Sequence, residues 1–110
     1  MHPVRSLDLD RLPELREALA AWLEKARQEF RLAEVILYGS FARGEPHEGS
    51  DIDLILIGPF HGKLPHRIER VLLTTDLPIQ PLCYTQEEWS SMIAGRNPLA
   101  LEVVRSGRVL

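Results

Sequence analysis

Several residue types are scarce in this 110-residue chain, and each scarcity excludes something. A single cysteine, Cys83, rules out an internal disulfide framework and any multi-cysteine zinc site. No apolar run approaches the ~18 residues of a membrane span. The opening Met1-His2-Pro3-Val4-Arg5 has no apolar signal core, so a cytoplasmic protein without a membrane partner is expected. Positive charge is short as well: 13 Lys and Arg stand against 16 Asp and Glu, a net charge of −3. A strongly basic nucleic-acid footprint is therefore absent, although backbone donors or metal ions can still hold phosphate locally. Lysine itself is rare, since arginine supplies eleven of the thirteen basic residues, and asparagine occurs once. That bias fits GC-rich coding or a hot habitat and says nothing about mechanism. There is no internal repeat and no linker-like tract. What remains is ordinary globular composition, 45% apolar and 26% charged, over a length suited to one domain, residues 1–110.

Residues 1–12 read as a loosely held lead-in. Pro13 suits the first turn of a helix, where its missing N–H costs nothing. Leu15, Leu19, Trp22, Leu23, Ala26 and Phe30 then recur at spacings of three and four, which predicts an amphipathic helix of about five turns. Val35-Ile36-Leu37-Tyr38, closed by Gly39-Ser40, reads as a buried strand. Phe41-Ala42-Arg43 reads as one helical turn, and polar residues 44–50 as a loop. A second strand is expected from Asp51 to Ile57, stopped by Gly58-Pro59. A helix over 66–73 would turn Ile68, Leu72 and Leu73 inward. Ile79 to Tyr84 makes a third strand, placed at an edge or a bulge by Pro81. Thr85-Gln86-Glu87-Glu88 has capping-box spacing and opens a helix with Trp89, Met92 and Ile93 inward. Pro98 opens a last helix with Leu99, Leu101 and Val104 available for packing, ending near Gly107. This order of elements predicts an α/β or α+β domain, a small mixed sheet of three or more strands flanked by helices.

The stretch from Leu37 to Ile57 carries the chemistry. In a strand, side chains alternate faces, so Asp51 and Asp53 share one face, about 6–7 Å apart, while Ile52, Leu54 and Leu56 take the other. Like charges so close repel and resist desolvation. A divalent cation resolves the conflict, and oxygen-only ligands favour Mg²⁺ or Mn²⁺ over zinc. Taken alone, Asp-x-Asp at a strand edge is usually a solvated strand start. An EF-hand is excluded because Leu54-Ile55-Leu56 falls where polar ligands and a glycine are needed. Gly39 lets the backbone turn sharply and approach a ligand. The N–H groups of Ser40, Phe41 and Ala42 would then face an anion, with the Ser40 hydroxyl as a further donor. A plain serine-capped turn fits Gly39-Ser40 equally well. Arg43 reads either as a bidentate phosphate contact or as a surface cation. A Walker loop is absent, since no Gly-Lys-Ser/Thr occurs.

The combination is more specific than its parts. Gly39-Ser40, ten intervening residues and Asp51-x-Asp53 resemble the Gly-Ser-x10-Asp-x-Asp signature of the DNA-polymerase-beta-like nucleotidyltransferases. The fuller string, with Ala42-Arg43-Gly44 and Ser50-Asp51-Ile52-Asp53-Leu54, resembles the minimal nucleotidyltransferase (MNT) domain family. The resemblance implies that fold, with Asp51 and Asp53 as catalytic metal ligands for Mg²⁺ or Mn²⁺. It also implies that Gly39 and Ser40 contact the phosphates of a nucleoside triphosphate. The implied reaction is AMP transfer from ATP to a hydroxyl, and the implied partner is a HEPN-domain toxin. The family's third carboxylate has no counterpart: by register Gln80 stands in its place, and an amide brings no charge and no base. A catalytically weakened antitoxin that acts by binding its partner is therefore the alternative expectation. Apolar residues near the C-terminus, among them Leu99, Val104, Val109 and Leu110, are open to a partner surface or to the chain's own core. His47 in the loop, the poorly spaced His61 and His66, buried Cys83, core Trp22 and Trp89, and Tyr38 at a strand end complete the weaker candidates.

Overall fold

The computed structural model describes residues 12–44 and 51–110. The elements run α1 (Leu12–Glu29), β1 (Glu34–Tyr38), β2 (Ile52–Ile57), α2 (Leu64–Leu72), β3 (Ile79–Tyr84), α3 (Gln86–Ala94), α4 (Pro98–Ser106) and β4 (Arg108–Val109). The strands form one mixed sheet in the order β3-β2-β1-β4. β1 pairs antiparallel with β2 and with β4, whereas β2 and β3 are parallel. A parallel pair needs a crossover connection, and α2 supplies it.

Strand alternation divides the sheet residues between two cores. Val35, Leu37, Ile52, Leu54, Leu56 and Cys83 pack with Trp22, Leu23 and Ala26 of α1 and with Val71 of α2. Ile36, Ile55 and Ile57 pack on the opposite face with Trp89 of α3 and with Ala100 and Val103 of α4. The result is helices on both sides of a sheet. Leu54, Ile55 and Leu56 have no exposed surface, and each contributes about 1.5–3 kcal/mol through burial of its side chain. No helix among the described residues is long and apolar enough to cross a membrane.

Most of the expected elements are present. Pro81 does sit in an edge strand, paired on one side only. Thr85 does cap α3: its hydroxyl accepts from the Glu88 N–H at 3.1 Å, and the Thr85 N–H donates to Glu88 Oε1 at 2.8 Å. Trp22, Trp89 and Cys83 are buried. Four details differ. α2 begins at Leu64, with Pro65 inside its first turn rather than in the loop. Ile68 and Leu72 pack against the core as expected, but its buried residues are Arg67 and Val71, and Leu73 is 78% exposed. α4 turns Ala100 and Val103 inward, leaving Val104 61% exposed; Ile93 on α3 is also exposed. The short strand β4 was not expected, because two residues are too few to show periodicity.

The burial of Arg67 has a clear cause. Its guanidinium donates to the Cys83 carbonyl at 3.2 Å and to Glu88 Oε1 at 2.6 Å, with a second contact to Oε2 at 3.3 Å. That fork ties α2 to the end of β3 and the start of α3. Its hydrogen bonds hold the Glu88 carboxyl below the usual range, helped by the Thr85 N–H.

Candidate functional site

The motif sits where β1 ends and β2 begins. Antiparallel pairing sets Tyr38 against Asp53, so the turn after Tyr38 folds back over the Asp53 side chain. Gly39 makes that turn with φ +75°, a left-handed conformation that a residue without Cβ adopts at no steric cost. A Cβ at position 39 would collide with Asp53 Oδ2 and lie 3.3 Å from its Cγ. Glycine is favoured twice over, by the left-handed backbone and by the carboxylate packed against it.

Residues 39–44 form the expected single turn, closed by Arg43 N–H to Gly39 O and Gly44 N–H to Phe41 O, both 3.2 Å. The N–H groups of Ser40, Phe41 and Ala42 find no backbone acceptor among the described residues. Phe41 and Ala42 pack into the α1-side core, which anchors the turn from behind. Unspent donors on an anchored turn suit an anion.

Asp51 precedes β2 by one residue, and Asp53 lies within it. The parallel register sets Gln80 of β3 beside Asp53, as the sequence led one to expect. Its side chain reaches Asp51: Nε2 donates to Oδ2 at 2.9 Å. Burial lifts the Asp53 carboxyl above the usual range. The negative charges of Asp51 and Glu102 lift it further, and Arg43 opposes them. The Tyr38 hydroxyl is pushed up to about 12 by burial first, then by Asp53, Tyr84 and Glu102. These groups therefore sense one another across a single half-buried patch.

Glu102 was not foreseen. It lies on α4 beside the buried stripe and pairs with Arg43 at 3.9 Å, both side chains about half exposed. In the sequence it is one of two charges on a largely apolar helix, and only the packing of α4 over β1 turns it toward the motif. Arg43 is thus a neighbour of the carboxylates rather than a bare surface cation. His47 lies outside the described residues. His61 and His66 are exposed. Among the described residues no cluster of three or more His, Cys, Asp or Glu side chains is placed to hold a metal ion.

A cavity of about 590 Å³ opens on the other face, lined largely by apolar residues including Leu15, Leu19, Leu23, Leu37 and Ile52. It contains no motif carboxylate, and its size does not make it the reactive site.

Known proteins bear on this geometry. Residues 19–98 match the family described as "Nucleotidyltransferase domain". Among solved structures, a candidate nucleotidyltransferase from Sulfolobus solfataricus superposes with a TM-score of 0.60 at 20% sequence identity, over 76% of this chain and 78% of that one. At that identity the likeness speaks for the fold. No curated protein matches the sequence. With the family match spanning most of the chain and both motif halves, the chain belongs to the nucleotidyltransferase domain family.

Proposed function

We propose that the domain transfers AMP from ATP to a hydroxyl acceptor, with Asp51 and Asp53 holding a divalent cation and the Gly39-Ser40 turn, with Arg43, receiving the phosphates. The observation that carries this reading is the contact between the two motif halves: Asp53 Oδ2 fills the space a Cβ at Gly39 would need. A carboxylate thus lies directly against a turn whose Ser40, Phe41 and Ala42 N–H groups have no backbone acceptor among the described residues. The donor set fits a hard cation, because Asp51 and Asp53 offer only oxygen, as Mg²⁺ and Mn²⁺ prefer. When bound, such an ion withdraws charge from the phosphate oxygens and eases departure of pyrophosphate.

The chain's own residues do the rest. Asp53 is lifted by burial and by Asp51, so a cation relieves strain already present between them. The anchored turn fixes the phosphates, and positioning supplies much of the acceleration. Arg43, held near the carboxylates by Glu102, is suited to a phosphate oxygen. In the transfer, the acceptor oxygen bonds to the α-phosphorus as the bond to the bridging oxygen breaks. Pyrophosphate then leaves, and the hydroxyl proton passes to solvent.

The acceptor we propose is a hydroxyl on a HEPN-domain partner protein, in keeping with the resemblance to minimal nucleotidyltransferases. Incubation with α-labelled ATP, Mg²⁺ and that partner is expected to label the partner, with loss of label in Asp53→Ala. Absence of both transfer and Mg²⁺-dependent ATP binding would overturn the reading. A second reading has its own support in Gln80, which gives the site a neutral amide on β3. Under it, the domain binds nucleotide and neutralises the partner by contact alone. Partner binding without transfer, unchanged in Asp53→Ala, is its expected outcome.

A further inference from the structure

The geometry points to Gln80 as a positioning residue that limits the site to one divalent cation, the one carried with the nucleotide. This rests on the nucleotide-binding reading above. A two-ion site needs oxygen donors on both sides of the reacting phosphate, the ions about 3.5–4 Å apart. Magnesium also demands a near-octahedral set of oxygens. The described chain supplies two carboxylates here, Asp51 and Asp53, and no cluster of three. Glu102 is already paired with Arg43.

The β3 side presents hydrogen rather than oxygen. Gln80 Nε2 lies 2.9 Å from Asp51 Oδ2, and a carboxylate accepts from an amide N–H but repels an amide oxygen. The amide orientation is therefore set by Asp51. The contact fixes the Asp51 carboxylate while adding neither charge nor an oxygen donor. Gln80 thus orients Asp51 for a single ion and offers no ligand to another on the β3 side.

Counting bound Mn²⁺ by electron paramagnetic resonance tests this, in the full chain saturated with a non-hydrolysable ATP analogue. The wild type is expected to hold one ion per chain. Gln80→Asp, which places an oxygen donor there, is expected to hold two. Gln80→Leu, which removes the hydrogen bond without adding oxygen, is expected to hold one. Two ions in the wild type or in Gln80→Leu would overturn the inference, as would one ion in Gln80→Asp that is folded by circular dichroism and binds the analogue. A wild type that binds neither Mn²⁺ nor the analogue defeats instead the nucleotide reading on which this rests.

Discussion

The two faces of the sheet are made from the same strands, yet they end differently. Toward α1 and α2 the inward row of β2 is Ile52, Leu54 and Leu56, apolar from end to end. Toward α3 and α4 the row runs Ile57, Ile55, then Asp53. β3 repeats the change, from Tyr84 and Leu82 to Gln80. Trp89, Ala100 and Val103 cover the apolar part, and the polar residues begin where that cover stops. A carboxylate is tolerable at Asp53 because it is only partly buried and water still reaches it. The same charge at Leu54 would be fully desolvated and unpaired. The fold is held by the face whose apolar row is complete, and the motif carboxylate Asp53 occupies the incomplete end of the other.

Breaking the complete face is expected to have the largest effect. Leu54→Ala should cost about 3–4 kcal/mol of stability by urea unfolding, with Mg²⁺–ATP affinity unchanged in the fraction that stays folded. Arg67→Ala follows. It leaves Glu88 unpaired and the Cys83 carbonyl without its donor, and should cost about 2–3 kcal/mol, less than for a fully buried pair because Glu88 is partly exposed. Gly39→Ala acts at the open end. The left-handed backbone and the collision with Asp53 should cost about 1–2 kcal/mol and lower nucleotide affinity by calorimetry, whereas Leu54→Ala should not.

The smallest effect is the most diagnostic, and it concerns pH. The Asp53 carboxyl is raised from 3.8, so its contribution to stability is full below that value and is lost as pH rises through the raised one. Glu88 is lowered from 4.5, so its contribution is present above that value and is lost as pH falls through the lowered one. In metal-free protein, Asp53→Asn should therefore raise the Tm at pH 6 more than at pH 3, and Glu88→Gln should lower it at pH 6 more than at pH 3. Equal shifts at both pH values would show that neither carboxyl is perturbed by folding.

The contrast between the faces was partly legible in the sequence. Alternation in Asp51–Ile57 separated Asp53 from Leu54 correctly, and the Gly39-Ser40 spacing located the turn. The place of Gln80 came from the family resemblance, which puts a third carboxylate on the next strand, and the register sets that position beside Asp53. Glu102 and Arg67 were illegible for a common reason. Each is an ordinary charged residue on a helix, and its role depends on which neighbouring element the helix meets. Leu73 and Val104 misled in the opposite sense, because apolar residues one position off a helix stripe share its composition but not its direction. β4 depends on pairing with β1 and leaves no pattern of its own.

The contact between Gly39 and Asp53 reaches beyond this molecule. Two positions fourteen apart in the chain compete for one volume, so their histories are tied. A descendant that keeps the acid at 53 accepts even a methyl group at 39 only at a cost, because the carboxylate must move aside. One that trims 53 to alanine escapes the clash, though not the left-handed turn. A side chain appearing at 39 would then betray an abandoned activity before any assay was run.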